Sequence, residues 1–123
     1  MPCSHDVLIV DDDSDMLDAL KAVLGSNGYE CRGATNGQHA LELIADAKPA
    51  LVLLDMQMPV MNGWECARKL RKSYGRGLPI VVVTAAKHAA TRRDEADADG
   101  VLPKPFAIEQ LLRVVGRYAA RSP

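Results

Sequence analysis

Short apolar runs alternate with longer amphipathic segments along the chain, and this alternation restricts the fold more than any other feature of the sequence. Three of the apolar runs contain no polar residue, which is typical of parallel strands that helices cover on both faces. Two shorter runs complete the set. The five predicted strands are residues 7–10, 29–31, 50–54, 80–83 and 101–102.

Helical patterns fill the intervals between these strands. The second begins after the predicted cap Asn36, and the third covers residues 62–73. The fourth, residues 88–96, is short and poor in large apolar residues. The last places Ile108, Leu111, Leu112 and Val115 on one face, which predicts a helix docked on the sheet. The order βαβαβαβαβα predicts a flavodoxin-like, doubly wound α/β domain with a parallel sheet in the order 2-1-3-4-5 and five helices.

Length and composition limit the classes of protein to consider. A chain of 123 residues is long enough for one domain, predicted to span residues 1–123 with a core from about 6 to 120. Its 15 basic and 16 acidic residues argue against a strongly basic nucleic-acid binder. No stretch approaches the roughly 20 apolar residues of a membrane span. Three scattered cysteines argue against a disulfide framework and indicate a cytoplasmic protein.

Polar residues follow four of the five predicted strands. Strand one is followed by Asp11, Asp12 and Asp13, strand three by Asp55, strand four by Thr84, and strand five by Lys104. All of these positions lie at the carboxyl edge of a parallel sheet. Strands one and three are neighbours in the predicted order, so Asp11, Asp12 and Asp55 would crowd into one pocket. Such crowding is costly unless a cation or a proton neutralises it.

The residue types at this edge indicate metal-assisted phosphate chemistry. Three carboxylates with no paired His or Cys suit a hard cation, and Mg²⁺ is the cation expected where phosphate chemistry follows. Lys104 offers a mobile positive charge and Thr84 a hydroxyl, which together can hold two phosphoryl oxygens. One carboxylate then remains to attack. Asp13 is more simply explained as the cap of the first helix.

Five motifs in this order resemble those of the receiver domains of two-component response regulators. Together they extend over nearly the whole chain. They are VLIVDDD at residues 7–13, LLDMQMP at 53–59, MNGWE at 61–65, VTA at 83–85 and KPF at 104–106.

The resemblance implies a role for each residue of the site. Asp55 is the implied phosphoacceptor, Asp12 and the backbone carbonyl of Gln57 bind Mg²⁺ directly, and Asp11 acts through a metal-bound water. Thr84 and Lys104 bind the phosphoryl group. The sequence departs from the family at Val101, which stands where receivers commonly have Tyr or Phe, and in the interval from Thr84 to Lys104, which is a little shorter than usual.

The resemblance also implies partners and a type of activity. A histidine kinase or a histidine phosphotransfer protein would supply the phosphoryl group, and a downstream protein would read the phosphorylated state. No direct contact with nucleic acid or membrane is expected, since the chain stops soon after its last predicted helix. Such a protein is not a conventional enzyme, although it catalyses its own phosphorylation and dephosphorylation.

Two other classes share part of the acidic pattern. Asp11-x-Asp13 after an apolar strand also resembles the nucleophile motif of haloacid-dehalogenase-type phosphatases, but the acidic pair required after a late strand is replaced by Thr84-Ala85. A calcium loop starting at Asp11 would need Gly where Met16 stands and Glu where Ala22 stands. Neither alternative matches as well as the phosphorylation switch.

Overall fold

The computed structural model describes residues 6–56, 63–85 and 98–119, and these form a parallel five-stranded sheet with helices on both faces. The strand order is β2-β1-β3-β4-β5, as predicted. Parallel neighbours need crossover connections, and within the described residues helices supply them between β1 and β2, β2 and β3, and β3 and β4. The strands are β1 (Asp6–Val10), β2 (Glu30–Ala34), β3 (Leu51–Asp55), β4 (Ile80–Ala85) and β5 (Gly100–Lys104).

Four α-helices lie within the described residues. They are α1 (Ser14–Ser26), α2 (Gly37–Asp46), α3 (Gly63–Tyr74) and α4 (Ile108–Tyr118), and a 3₁₀ turn at Gly75–Gly77 follows α3. The short helix predicted over residues 88–96 falls outside the described residues. No helix in residues 6–56, 63–85 or 98–119 is long and apolar enough to cross a membrane.

Several strand boundaries differ from the prediction by one to three residues. β2 extends to Ala34, beyond the predicted end at residue 31, because its polar residues pair along β1 from Asp6↔Glu30 to Val10↔Ala34. An edge strand can carry such residues, since it needs less apolar surface than a central one. β5 likewise extends to Lys104, which pairs with Ala85 of β4.

Side-chain caps fix where the first two helices begin. One carboxylate oxygen of Asp13 accepts hydrogen bonds from the backbone N–H groups of Asp15 (3.0 Å) and Met16 (3.3 Å). The Asn36 side chain accepts from the N–H of His39 at 2.8 Å. Each cap satisfies helix N–H groups that have no partner inside the helix. Because the Asp13 cap follows β1 so closely, the chain turns into α1 just after Asp11 and Asp12.

The sheet divides the core into two layers. Alternate residues of each central strand point to opposite faces. In β1, Leu8 and Val10 pack toward α2 and α3, while Val7 and Ile9 pack toward α1 and α4. Both faces of the central strands are therefore buried, which explains their apolar runs without alternation.

Helix α4 docks on the sheet as its pattern predicted, but with a narrower contact face. Leu111 and Val115 are buried, whereas Ile108 is 55% exposed at the first position of the helix. Leu112 is partly buried against the same core layer. The docking contact is thus made by the middle of the helix, and its first turn leaves an apolar side chain in solvent.

The two cysteines within the described residues are free thiols. Burial raises the pKa of Cys66 to about 12 and that of Cys31 to about 11. Both are therefore protonated near neutral pH and poorly reactive.

Candidate metal centre

The carboxyl ends of β1 and β3 bring three carboxylates together. Val10 pairs with Leu54 in the β1–β3 ladder, so the residues that follow, Asp11 and Asp55, are neighbours across it. One carboxylate oxygen from each of Asp11, Asp12 and Asp55 lies within 4.8 Å of the other two. Asp11 and Asp55 are buried, and Asp12 is exposed. The structure thus places side by side the three acidic residues that the sequence predicted to be neighbours.

Backbone hydrogen bonds hold Asp11 in place. Its own N–H donates to the carbonyl of Ala34 at 3.0 Å, which continues the β1–β2 ladder by one residue. Its carboxylate accepts from the N–H of Asp13 at 3.0 Å. Asp13 itself turns its carboxylate onto the first turn of α1. Its role in the structure is that of a helix cap.

Among the residues that the structure describes, one ammonium group faces the acidic cluster. The Nζ atom of Lys104 lies 3.7 Å from a carboxylate oxygen of Asp55. Lys104 ends β5, and the peptide bond to Pro105 is cis. Its side chain is 37% exposed, compared with 9% for that of Asp55. The ammonium is close enough to attract the carboxylate yet keeps access to solvent.

The pKa of the Asp11 carboxyl reflects the electrostatics of the acidic cluster. Burial raises the pKa of the Asp11 carboxyl above its ordinary value, and the charges of Asp12 and Asp13 act in the same direction. The Asp13 N–H and the Lys104 ammonium oppose this increase but do not cancel it. Removing a carboxylate from water without full compensation is unfavourable. A bound divalent cation would relieve this cost directly.

The donor set fits Mg²⁺ better than a softer metal. Its side-chain atoms are three carboxylate oxygens, with no His or Cys among them. Hard cations with oxygen ligands match this set, and Mg²⁺ retains several waters when only a few carboxylates are available. Asp11, Asp12 and Asp55 are the side chains that would hold it. Gln57, whose carbonyl is an expected further ligand, lies outside the described residues.

Thr84 stands at the same edge of the sheet. Asp55 pairs with Val83 of β4, so Thr84 lies one residue further along the neighbouring strand. It is 8% exposed and is one of three buried polar residues in the described part of the chain, together with Asp11 and Asp55. Its position suits a hydroxyl that acts on a group attached to Asp55.

The surroundings of the cluster are apolar. A cavity of about 10 Å³, the size of about one water molecule, is lined by Asp11, Asp55 and Lys104 and otherwise by apolar side chains, such as Ile9 and Leu53. An open groove of about 570 Å³ beside Lys104 is lined by Met16, Lys104, Pro105 and Phe106. No separate role was predicted for Met16 or Phe106. The signals in the sequence were their position at the carboxyl edge and, for Phe106, its place in the KPF motif.

Comparison with known proteins identifies the family. The model of the response regulator receiver domain matches residues 7–116. The response regulator MprA of Mycolicibacterium vanbaalenii is 45% identical over 108 residues, which cover 86% of this chain and 46% of that protein. The chain therefore spans about half the length of the curated relatives it matches.

Solved structures agree in fold and sequence. The chemotaxis protein CheY4 of Vibrio cholerae superposes with a TM-score of 0.81 and 31% identity, covering 92% of this chain and 97% of that one. The receiver domain of sensor histidine kinase PA1611 of Pseudomonas aeruginosa has a TM-score of 0.83 and 27% identity, covering 93% and 96%. In that structure a magnesium ion is coordinated in the active-site cleft.

These matches cover most of the chain and decide against the haloacid-dehalogenase alternative. This chain belongs to the receiver domain family of two-component response regulators.

Proposed function

We propose that the chain is a Mg²⁺-dependent phosphorylation switch in which Asp55 accepts the phosphoryl group. The observation that carries the proposal is the meeting of three carboxylates, within 4.8 Å of one another, with the Lys104 ammonium 3.7 Å from Asp55. Within the described residues, one cation among three anions is too little positive charge for the free site. It is a suitable arrangement for a site that also binds a divalent metal and a phosphoryl group.

Asp55 is the best placed of the three nucleophiles. An oxygen of Asp11 already accepts the Asp13 N–H, and Asp12 is exposed to water. Asp55 is buried at the end of a central strand, with the ammonium of Lys104 on its open side. An Asp55 oxygen would attack the phosphorus of a phosphohistidine. The P–N bond breaks, its electron pair stays on the imidazole nitrogen, and an acyl phosphate forms.

The remaining residues would stabilise the charge of the transferred group. A phosphoryl group brings about two negative charges into a pocket that is already acidic. Lys104 is mobile enough to move from the Asp55 carboxylate to a phosphoryl oxygen, and the Thr84 hydroxyl would donate to another. Asp11, Asp12, Asp55 and the Gln57 carbonyl would hold Mg²⁺, which would supply further positive charge to offset the negative charge of the phosphoryl group. Attack of water on the acyl phosphate would restore the free carboxylate and release phosphate.

We propose partners and domain extent on the same basis. The donor would be a histidine kinase or a histidine phosphotransfer protein, and the output a contact with another protein, without direct binding of nucleic acid or membrane. The groove at Met16 and Phe106 opens beside Lys104, which leaves room for the donor to approach. The receiver domain would occupy residues 1–123, with a fifth helix between β4 and β5.

Intact-mass measurement tests the proposal. The protein is incubated with a small acyl phosphate, with Mg²⁺ or with a chelator in its place. The wild type should gain the mass of one phosphoryl group only with Mg²⁺, and Asp55→Asn should gain none. Asp18→Asn, an exposed position on α1, is the matched control and should behave as the wild type. A phosphoryl adduct on Asp55→Asn under the same conditions would show that the acceptor is another residue.

A further inference from the structure

A second open groove lies between α2 and α3, near the amino edge of the sheet. It measures about 440 Å³ and is lined by Leu41 and Ala45 of α2 and by Lys69, Lys72, Ser73 and Tyr74 of α3. The helices run antiparallel to the strands, so their C-terminal halves lie at the opposite edge from Asp55. Nothing in the proposed phosphorylation chemistry uses this groove.

The floor of the groove is apolar. Leu41 and Tyr74 are partly buried and pack against the core layer beneath α2 and α3. Ala45, four residues after Leu41, is exposed, and its small side chain leaves the groove open on the α2 side. Residues four apart lie one above the other on a helix, so Leu41 and Ala45 form a strip along α2. An apolar strip of this kind can receive the apolar face of another helix.

The rim of the groove is positively charged. Lys69 and Lys72 are exposed, and among the described residues neither takes part in a hydrogen bond or an ion pair. Helix α3 carries Arg68, Lys69, Arg71 and Lys72 against one acidic residue, Glu65. Because the whole chain has a net charge of −1, this concentration is a local feature and does not reflect composition.

We propose that the α2–α3 groove is a docking site for an acidic amphipathic helix of a partner protein. Apolar side chains of that helix would pack on Leu41, Ala45 and Tyr74, and its carboxylates would pair with Lys69 and Lys72. Opposite charge at the rim would guide the encounter and fix the orientation of the helix. A concave apolar floor suits a helix better than it suits a nucleic-acid backbone or a flat lipid surface. This inference does not depend on phosphorylation.

Amide chemical shifts of the labelled protein test the proposal. The probe is a synthetic amphipathic helix of about four turns, with Leu along one face and Glu on both flanks. The peptide should bind saturably, with a dissociation constant of about 1 mM or lower, and should shift amides in α2 and the C-terminal half of α3. A matched peptide with Lys in place of Glu should produce no such shifts.

Paired charge reversals separate the groove from general electrostatics. Lys69→Glu/Lys72→Glu should weaken the acidic peptide at least tenfold. Arg113→Glu/Arg117→Glu makes the same change of net charge on exposed residues of α4 and should leave the affinity within twofold. All four substituted side chains are exposed, so both double variants should keep the wild-type melting temperature within a few degrees.

Several results would overturn the proposal. These are no saturable shift, equal binding of the basic peptide, or equal loss of affinity in the α4 variant. Preferential binding of duplex DNA or of phosphatidylserine vesicles at Lys69 and Lys72 would assign the surface to another ligand. Concentration-dependent self-association abolished by Lys69→Glu/Lys72→Glu would assign it to a second copy of the chain. None of these results affects phosphorylation of Asp55, which the mass measurement tests separately.

Discussion

The two edges of the sheet differ in how their charged side chains are paired. At the amino edge, Asp6 pairs with Arg32 and Asp99 with Arg71, each at 2.6 Å. At the carboxyl edge, three carboxylates of the described residues face one lysine, whose Nζ atom lies 3.7 Å from Asp55. Charges at the first edge hold elements together, whereas those at the second are arranged for a ligand that carries charge of its own. Stability and function are thus located at opposite ends of the same strands.

The arginines of the amino edge each connect several elements. Arg32 of β2 also donates to the carbonyls of Leu43 and Ala47, at the end of α2. Arg71 of α3 donates to the carbonyls of Gly75 and Leu78, which follow that helix. A planar guanidinium is suited to such multiple hydrogen bonds.

Asp99 joins three elements at this edge. Its carboxylate accepts from Arg71 and from the N–H of Ile80 at 2.8 Å, and its carbonyl accepts from the Tyr118 hydroxyl at 3.0 Å. These bonds connect α3, the start of β4 and the end of α4. The amino edge therefore has little freedom to rearrange, which leaves the carboxyl edge as the place for a switch.

The largest effect is expected from breaking the amino edge. Asp99→Ala leaves the Arg71 guanidinium, 10% exposed, without this carboxylate and removes the acceptor of the Ile80 N–H. The free energy of unfolding should fall by about 3 kcal/mol, because the substitution breaks a partly buried ion pair and also removes a hydrogen-bond acceptor. Urea denaturation measures it. Asp18→Ala, at an exposed position of α1, should change it by less than about 0.5 kcal/mol. Equal effects of the two substitutions would refute the structural role of the Asp99 pair.

A smaller effect of opposite sign is expected at the carboxyl edge. Asp12→Ala removes one of three neighbouring carboxylates. The metal-free protein should therefore become more stable by about 1 kcal/mol at neutral pH. Mg²⁺ should raise the melting temperature of the wild type but have little effect on the variant. Thermal melts with and without Mg²⁺ decide the matter, and a Mg²⁺-induced shift of unchanged size would exclude Asp12 as a ligand.

Lys104 should contribute to the response more than to metal binding. Its ammonium attracts a phosphoryl oxygen but repels Mg²⁺. In Lys104→Ala, Mg²⁺ should bind as in the wild type or up to about fivefold more tightly, which corresponds to the roughly 1 kcal/mol typical of an exposed ion pair. Titration calorimetry measures this affinity. A large loss of Mg²⁺ affinity would contradict the proposed division of roles.

The smallest effect is a pH dependence at Asp11. Burial raises the pKa of this carboxyl in the folded protein, so the folded state binds a proton more tightly than the unfolded chain does. Its contribution to stability is greatest below the unfolded pKa and is lost as pH rises through the folded pKa. Asp11→Asn keeps an acceptor for the Asp13 N–H but has no carboxyl proton to lose. The variant should therefore not show this loss of stability. The free energy of unfolding is measured in chelator from about pH 3 to about pH 7, a range that extends from near the ordinary Asp pKa to well above it. Over this range the stability of the wild type should fall relative to that of the variant. Parallel curves would contradict the assignment.

The sequence predicted the carboxyl edge better than the amino edge. Parallel strands place their carboxyl ends together, so residues that follow apolar runs, such as Asp11, Asp55 and Lys104, had to be neighbours once the strand order was known. The Arg71–Asp99 pair follows no such rule. The two residues are 28 positions apart in the sequence, and their contact depends on how the end of α3 packs near the start of β4. The groove between α2 and α3 depends on helix packing in the same way.

The most direct test of the central claim is to locate the phosphoryl group within the acidic cluster. Borohydride reduces an aspartyl phosphate to homoserine, which marks the acceptor permanently. The protein is phosphorylated with a small acyl phosphate and Mg²⁺, reduced, digested and sequenced by mass spectrometry. Homoserine should appear at position 55 and at neither 11 nor 12, and only in the presence of Mg²⁺. Homoserine at Asp11 or Asp12, or at Asp55 without Mg²⁺, would contradict the account.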